Sequence, residues 1–216
     1  MSLENYTIHS IGKTTHSIVI KAPTNTDKQH NAFCDSICQI LPGAYRDGAD
    51  NIIFVAHEVT PLSNAQLNTT QCSLLIQCLC KQLMYLEEAN ITIHGIDIHD
   101  VIVVDNTYTC IANPELMADI HHNNMHIISP ISKARFTAPE IRYMRAIPAK
   151  FPRQSSYYGI GMLVLHWLRE AAQKPDNPQK GESESPSFSW LKGTKFYWFI
   201  KRCTDPDPSN RTLLFI

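Results

Sequence analysis

Apolar and polar positions alternate along residues 5–22, in the runs YTIHSIG and HSIVIKA. A period of two is typical of a β-strand with one buried face. Between the runs, the stretch from Gly12 to Thr15 consists of a glycine and polar residues, which favour a tight turn. The pattern therefore predicts a β-hairpin near the start of the chain.

Four later segments have the helical spacing of apolar residues instead. The first runs from Asp27 to Leu41, and the last is KFYWFIKRC. Residues 154–170 are apolar on most faces, which is typical of a helix buried inside a domain. The remaining helix, capped by Thr69 or Thr70, has one apolar stripe that we expect to face the core: Cys72, Leu75, Ile76, Leu79, Leu83 and Leu86.

Short runs rich in β-branched residues predict further strands at 51–59, in VIVVD and in YTCIA. Residues 113–137 form a long polar segment that contains three histidines. Residues 173–187 contain no large apolar residue and much Pro, Ser, Glu and Lys, which predicts a flexible loop. This mixture of strands and helices indicates an α+β fold.

The charge balance excludes several classes of partner. Of 216 residues, 19 are Lys or Arg and 20 are Asp or Glu, without a basic block, so we expect no nucleic acid and no membrane as a partner. The first ten residues lack the apolar core of a signal peptide. We therefore expect an intracellular, cytoplasmic protein, with the nucleus as the alternative. The seven cysteines have no CxxC spacing, which predicts neither a zinc site nor a disulfide framework.

Four short matches occur in the order and at the intervals found in eukaryotic protein kinases. His94 begins the stretch HGIDIHDV, which aligns with the catalytic loop H-R-D-L-x-x-x-N, and Ala138-Pro139-Glu140 matches A-P-E. Gly161 matches a glycine of the family's central helix, and Arg211 matches an arginine near the C-terminal end. From about residue 51 onward, the chain resembles the eukaryotic protein kinase family. At positions 94 and 95 the chain has His-Gly in place of His-Arg. In this feature it resembles the branch of the family that contains casein kinase 1 and the vaccinia-related kinases.

This resemblance implies a protein kinase-like bilobal fold. Residues 1–60 would form a reduced N-lobe of strands and one helix, and residues 61–216 would form a mainly helical C-lobe of the same domain. The N-lobe is expected to be truncated, because too few residues precede Lys21 for the family's three opening strands.

The residues that carry catalysis in the family are missing from the matching positions. Counted from His94, the proton-accepting Asp falls on Ile96 and the metal-binding Asn falls on Val101. The best match to the Asp of D-F-G is Asn113, whose neutral oxygen is a poorer Mg²⁺ ligand than a carboxylate. Placing Asp97 in the role of the base would need a one-residue shift. We therefore predict a protein with no catalytic residue, no metal and no cofactor.

The N-terminal side offers candidates for ATP binding. IVIK resembles the family's V-A-I-K and would make Lys21 the phosphate-pairing lysine, with Asp35 in place of the helix glutamate. The alternative is a solvated lysine at a strand end and an aspartate on a helix surface. Only Gly12 stands where the family has a glycine-rich loop. His57 and Glu58 are either adenine contacts through their backbone or an ordinary strand end.

The resemblance also implies one structural contact, a salt bridge between Glu140 and Arg211. A scaffold that keeps this pair but lacks the catalytic groups is typical of a pseudokinase. Such a protein would act by protein–protein interaction, as a regulator, scaffold or decoy of an active kinase or its substrate, and a viral or parasite kinase mimic is a special case. We expect the contact surface below the activation segment, with exposed apolar residues suited to an interface: Phe136, Ile141, Tyr143 and Met144.

Two other hypotheses remain. A divergent nucleotide-dependent phosphotransferase would use Asp97, Asp100 or Asp119 as unconventional metal ligands. The run DIHHNNMH either binds a metal ion or is a polar mobile segment in the position of the activation loop, and its candidate ligands are His121, His122 and His126.

Overall fold

The protein, described here from a computed structural model, has an α+β fold. The structure describes residues 6–21, 27–66, 68–131, 134–171 and 188–215. Within them the helices are α1 (Asp27–Ile40), α2 (Thr69–Glu88), α3 (Pro139–Arg142), α4 (Ser155–Ala171) and α5 (Lys195–Cys203). The strands are β1 (Tyr6–Ser10), β2 (Thr15–Ile20), β3 (Tyr45–Arg46), β4 (Asn51–Val55), β5 (Val59–Pro61), β6 (Ile91–Ile93), β7 (Val101–Val104), β8 (Tyr108–Ile111), β9 (Met117–His121), β10 (Asn124–Ile127) and β11 (Ala149–Pro152).

The first sheet has the strand order β1-β2-β4-β3, and every neighbouring pair is antiparallel. The predicted hairpin is confirmed, since β1 and β2 pair from Tyr6 opposite Ile20 to Ser10 opposite His16. Ile18 and Ile20 of β2 belong to the same buried cluster as Phe33 of α1. The sheet and α1 therefore bury their apolar residues in a common core.

The long helix α2 lies at the centre of the molecule and packs against α1, β6 and β8. Its cap is Asn68, so the prediction of Thr69 or Thr70 was wrong by one or two positions. The Asn68 side chain accepts hydrogen bonds from the backbone N–H groups of Thr70 and Gln71, and the Gln71 side chain accepts one from the Asn68 N–H. This reciprocal capping box satisfies N–H groups that have no partner within the helix.

Buried Gln82 joins three of these elements. Its Nε2 donates to Ser36 Oγ of α1 and to the carbonyl oxygen of Ile111 in β8, both at 3.1 Å. Its Oε1 accepts from the N–H of Ile111 at 2.7 Å. One amide group from α2 thus supplies partners for a second helix and for a strand edge in a dry environment.

A second sheet has the order β11-β10-β9-β6. Its strands β9 and β10 contain most of the run DIHHNNMH, so the interpretation of that run as a mobile segment was wrong. Ile120, Met125 and Ile127 are buried at alternate strand positions, and Met125 and Ile127 form a small cluster with Ile141. Burial of a few apolar residues at a period of two is sufficient to order a mostly polar hairpin.

The third sheet, β5-β7-β8, carries the confirmed strands of VIVVD and YTCIA. Helix α4 confirms the predicted buried helix, and it approaches α5 closely at Gly161. A Cβ atom at Gly161 would lie 2.6 Å from Cβ of Cys203, so only glycine fits at this contact.

One apolar cluster runs from the first sheet through α2 to α4 and α5. Strand β5 spans the predicted boundary between residues 60 and 61 and pairs with β7. The division into two lobes therefore stays a prediction, and the predicted loop at 173–187 lies outside the described residues. Among the described helices, none is long and apolar enough to cross a membrane.

We expect Gln82→Leu to destabilise the fold strongly, because it leaves the buried N–H and C=O groups of Ile111 without partners. An unsatisfied buried polar group costs about 1–3 kcal/mol, so the expected loss is about 2–5 kcal/mol in the free energy of unfolding. Urea denaturation measures it. Gln77→Leu, the same change at an exposed position of α2, is the control and should cost less than about 0.5 kcal/mol. Equal losses in both variants would contradict the role of Gln82.

Candidate functional site

The loop between β6 and β7 is anchored at its start by His94. This side chain is buried, and its Nε2 lies 3.1 Å from the carbonyl oxygen of Glu115, a contact in which Nε2 donates. Burial lowers the pKa of His94, and the hydrogen bond to Glu115 opposes this shift. The neutral imidazole is therefore a structural anchor that joins the loop to the chain before β9.

The glycine at position 95 is explained by its neighbours. A Cβ atom there would lie 2.5 Å from Oγ1 of Thr137 and 3.0 Å from Cβ of Ala134. Any larger side chain would have to displace both residues. The packing of residues 134–137 thus excludes the arginine that the kinase family has next to its catalytic histidine.

Ile96 and Val101 are fully buried in the main apolar cluster. The backbone of Ile96 exchanges two hydrogen bonds with that of Phe136, at 3.2 and 3.0 Å, and its side chain packs against α4 at Gly159. Val101 is the first residue of β7. Apolar side chains in a dry core can neither accept a proton nor bind a cation.

The polar residues of the loop are bound to one another. Asp100 accepts hydrogen bonds from the Asp97 N–H at 2.6 Å and from Nδ2 of Asn113 at 2.8 Å, through different carboxylate oxygens. The Asn113 Oδ1 in turn accepts from the N–H of Glu115 at 3.0 Å. Burial raises the pKa of Asp100, and the two hydrogen bonds partly offset this effect. The carboxylate of Asp100 and the amide of Asn113 thus close a turn and are already hydrogen-bonded, and Asp97 Oδ1 accepts from the N–H of His99 at 3.4 Å.

The first strand is also tied to this loop. The hydroxyl of buried Tyr6 donates to the carbonyl oxygen of His99 at 3.0 Å. Burial and the nearby Asp100 raise the pKa of the Tyr6 phenol far above its usual value, which keeps it neutral as a donor. This long-range contact joins β1 to the loop between β6 and β7.

The candidate metal ligands lie in two separate places. Asp97 and Asp100 belong to the loop between β6 and β7, whereas Asp119 lies on β9, opposite His126 of β10. The rings of His121 and His126 meet edge to face with their centres 4.8 Å apart, and His122 lies in the turn between their strands. A search of the described residues finds no group of three or more His, Cys, Asp or Glu side chains arranged to hold a metal ion.

Lys21 and Asp35 are not joined by an ion pair in the part of the chain that the structure describes. Asp35 lies 3.4 Å from Nη1 of Arg46, whose other nitrogen donates to the carbonyl oxygen of Ala49 at 2.6 Å. Lys21 is exposed at the end of β2. This arrangement favours the interpretation of Lys21 as a solvated lysine and of Asp35 as a helix-surface residue.

Sequence reasoning missed one residue at the hinge-like segment after β4. Asp105, in the turn between β7 and β8, accepts hydrogen bonds on one carboxylate oxygen from the N–H groups of His57 and Glu58, at 2.7 and 2.8 Å. The backbone donors considered for an adenine are therefore occupied. The sequence feature that could have indicated this contact is the Asp-Asn pair between two apolar runs. Such a pair is typical of a hairpin turn with positive φ, and both Asp105 and Asn106 have positive φ.

Glu140 and Arg211 lie together although 71 positions separate them. The two guanidinium NH groups of Arg211 donate to the two carboxylate oxygens of Glu140 at 2.6 and 3.2 Å. Nε of Arg211 donates to the carbonyl oxygen of Asp205 at 2.8 Å, and the guanidinium lies 5.2 Å from the ring centre of Tyr158. This bidentate pair fixes α3 to the chain after α5.

The expected partner surface requires a correction. Phe136 and Ile141 are buried: Phe136 pairs with Ile96, and Ile141 packs below the second sheet. Met144 is half-buried against the same small cluster. Only Tyr143 is open to solvent, at 68% of its surface. Apolar character alone did not distinguish core residues from interface residues in this segment.

A comparison with models of known protein families and with curated proteins found no match. The functional proposal therefore depends on the residues and contacts described above.

We expect Arg211→Met to destabilise the protein by about 3–5 kcal/mol, because the mutation leaves Glu140 without its partner in a largely buried site. Urea denaturation of the two single variants and of the double variant Glu140→Gln with Arg211→Met measures the coupling between the two side chains. Arg145→Met, at an exposed position, is the control and should change the unfolding free energy little. Additive effects of Glu140→Gln and Arg211→Met would contradict a coupled pair.

Proposed function

We propose that this chain is a catalytically inactive, protein kinase-like protein that acts by binding other proteins. The observation that carries the proposal is the contrast between two sets of residues. Ile96 and Val101, which match the family's proton acceptor and metal ligand, are buried apolar residues. The Glu140–Arg211 pair, which matches a scaffold contact of the family, is bidentate and intact.

The order of the elements supports this proposal. A small antiparallel sheet with one helix is followed by a long helix, a hairpin, the short helix α3 of Pro139–Arg142 and the buried helix α4. This succession is compatible with the resemblance read from the sequence. The resemblance is strongest from β4 onward, because the matched residues lie in that part of the chain.

The occupied polar groups favour an inactive protein over the alternative of an unconventional phosphotransferase. Phosphoryl transfer depends on metal ions that neutralise charge and on precise positioning. Asp97, Asp100 and Asn113 use their polar atoms to cap the loop, and the N–H groups of His57 and Glu58 are held by Asp105. An active site built here would first have to break these contacts.

The proposed partner is an active protein kinase or a kinase substrate. The surface around Tyr143 is the candidate contact, because an exposed aromatic residue flanked by the exposed Arg142 and Arg145 has the composition of an interface. The cationic residues there would favour a partner with acidic groups.

We expect no change in melting temperature when ATP is added to the purified chain, with or without Mg²⁺ or Mn²⁺. A ligand at 100 times its dissociation constant would raise the melting temperature of a protein of this size by about 5–10 °C. Asp105→Ala, which frees the N–H groups of His57 and Glu58, serves as a companion variant. A metal-dependent increase in the native chain would contradict the proposal and favour the phosphotransferase. An increase in Asp105→Ala alone would assign the lack of binding to the occupied hinge.

We expect Tyr143→Asp to abolish capture of a protein kinase or kinase substrate from an extract of the source cells, with mass spectrometry as the readout. A carboxylate at the centre of the contact surface would lose aromatic contact area and repel acidic groups of the partner. Ile128→Asp is the matched control, since Ile128 is also an exposed apolar residue. Equal capture by both variants would remove the Tyr143 surface from consideration.

A further inference from the structure

A cleft of about 430 Å³ lies between α2 and the chain that follows α5. Lys81, Met84 and Tyr85 contribute to the wall formed by α2, and residues 213–215 form the opposite wall. Met84 is 56% exposed and Leu214 is 50% exposed, although both are apolar. Exposed apolar side chains beside a concave surface are typical of a site that binds another protein.

Positive charge surrounds the wall formed by residues 213–215. Arg202 donates from Nη1 to the carbonyl oxygen of Leu214 at 3.0 Å. Nζ of Lys195 lies 4.7 Å from the ring centre of Phe215. Both cations therefore contact residues that line the cleft, and Lys195 is exposed while Arg202 is half-buried.

The outer face of α5 extends this charged surface. Trp198 is 51% exposed, and Nζ of Lys201 lies 5.4 Å from its ring centre. The sequence from Phe188 to Thr204 contains no acidic residue. Among the described residues, Lys195, Lys201 and Arg202 form no ion pair with a carboxylate. Three cations and an exposed tryptophan thus lie on one side of the cleft, and no carboxylate of the described residues forms an ion pair with these cations.

We propose that this cleft binds a segment of a partner protein that carries acidic residues next to an apolar side chain. The apolar side chain would insert between Met84 and Leu214, where it would remove apolar surface from water. The acidic residues would lie against Lys195, Lys201 and Arg202, whose charges are complementary. The acidic residue of the cleft lining, Glu88, lies on α2, across from the cationic wall.

The concave shape favours a protein segment over a lipid surface as the occupant. A protruding side chain of a peptide fits a cleft, whereas a flat bilayer would contact only the convex outer face of α5. The inference rests on the proposed function in one respect, that the partner is a protein. The cleft shares no residue with the Tyr143 surface, so the experiments on the two sites test them independently.

Fluorescence anisotropy tests the proposal with the full chain and a fluorescein-labelled peptide of repeated Leu-Glu-Glu units. The matched probe is the same peptide with Lys in place of every Glu. We expect the acidic peptide to bind at least about tenfold more tightly than the basic one, with an affinity that falls as the salt concentration rises.

Three variants locate the binding. Leu214→Asp places a carboxylate in the apolar wall and should abolish binding of the acidic peptide, and Lys195→Glu should weaken it by about tenfold. Lys13→Glu makes the same charge change at an exposed position of the β1–β2 turn and should have no effect. Thermal unfolding followed by circular dichroism confirms that each variant is folded.

Equal binding of both peptides, no binding of the acidic peptide, or undiminished binding by Leu214→Asp would each overturn the proposal. Vesicles of phosphatidylcholine with phosphatidylserine test a lipid surface as the alternative ligand. Binding to these vesicles without binding to the acidic peptide would assign the surface to lipid and would also overturn the proposal. Loss of peptide binding in Leu214→Asp, with capture through Tyr143 retained, would show that the cleft is a second and independent contact. A metal-dependent response to ATP would count against the proposed function and leave the peptide result unaffected.

Discussion

The hydrogen bonds of one buried amide, that of Gln82, hold the centre of the molecule together. They satisfy Ser36 of α1 and both backbone groups of Ile111 in β8, from a position in the middle of α2. A second polar contact in the same place, from Oγ1 of Thr109 to the carbonyl oxygen of Leu75 at 3.1 Å, reinforces the junction of α2 with β8. In a dry core such bonds fix one arrangement of the elements, because any other leaves polar groups unpaired. The loop from His94 to Asp100 and the hairpin that follows it are positioned against this centre.

The loop from His94 to Asp100 is held by hydrogen bonds at both of its ends and within itself. His94 and Tyr6 bind backbone carbonyls at its two ends, and Asp100 closes it by accepting from Asp97 and Asn113. The side chains of His94, Asp100 and Asn113 therefore stabilise the loop, whereas His99 is exposed to solvent. Ile96 turns inward and joins the apolar core, where it packs against α4. In the core this apolar side chain cannot accept a proton.

Periodicity and turn residues identified most of the elements. The hairpin of residues 6–20, the helices α1, α2, α4 and α5 and the strands β7 and β8 all have patterns of apolar residues that follow a single local period. The hairpin β9–β10 escaped prediction because its few apolar residues are dispersed among histidines, asparagines and aspartates. Its order comes from burial against Ile141 and Ala138, residues that are distant in the sequence.

The sequence by itself determined the hairpin β1–β2, the strands β7 and β8, the helices α1, α2, α4 and α5, the α+β class and the candidate pair of Glu140 and Arg211, since these depend on local spacing and on short matched stretches. Only the tertiary structure decided which apolar residues face solvent, burying Phe136 and Ile141 while exposing Tyr143, Met84 and Leu214. It also decided that Asp105 accepts hydrogen bonds from the N–H groups of His57 and Glu58 and that Arg46 forms an ion pair with Asp35. The physical reason is the same in each case. The partner of a side chain depends on the packing of elements that are far apart in the chain, and the local periodicity of the sequence does not predict that packing.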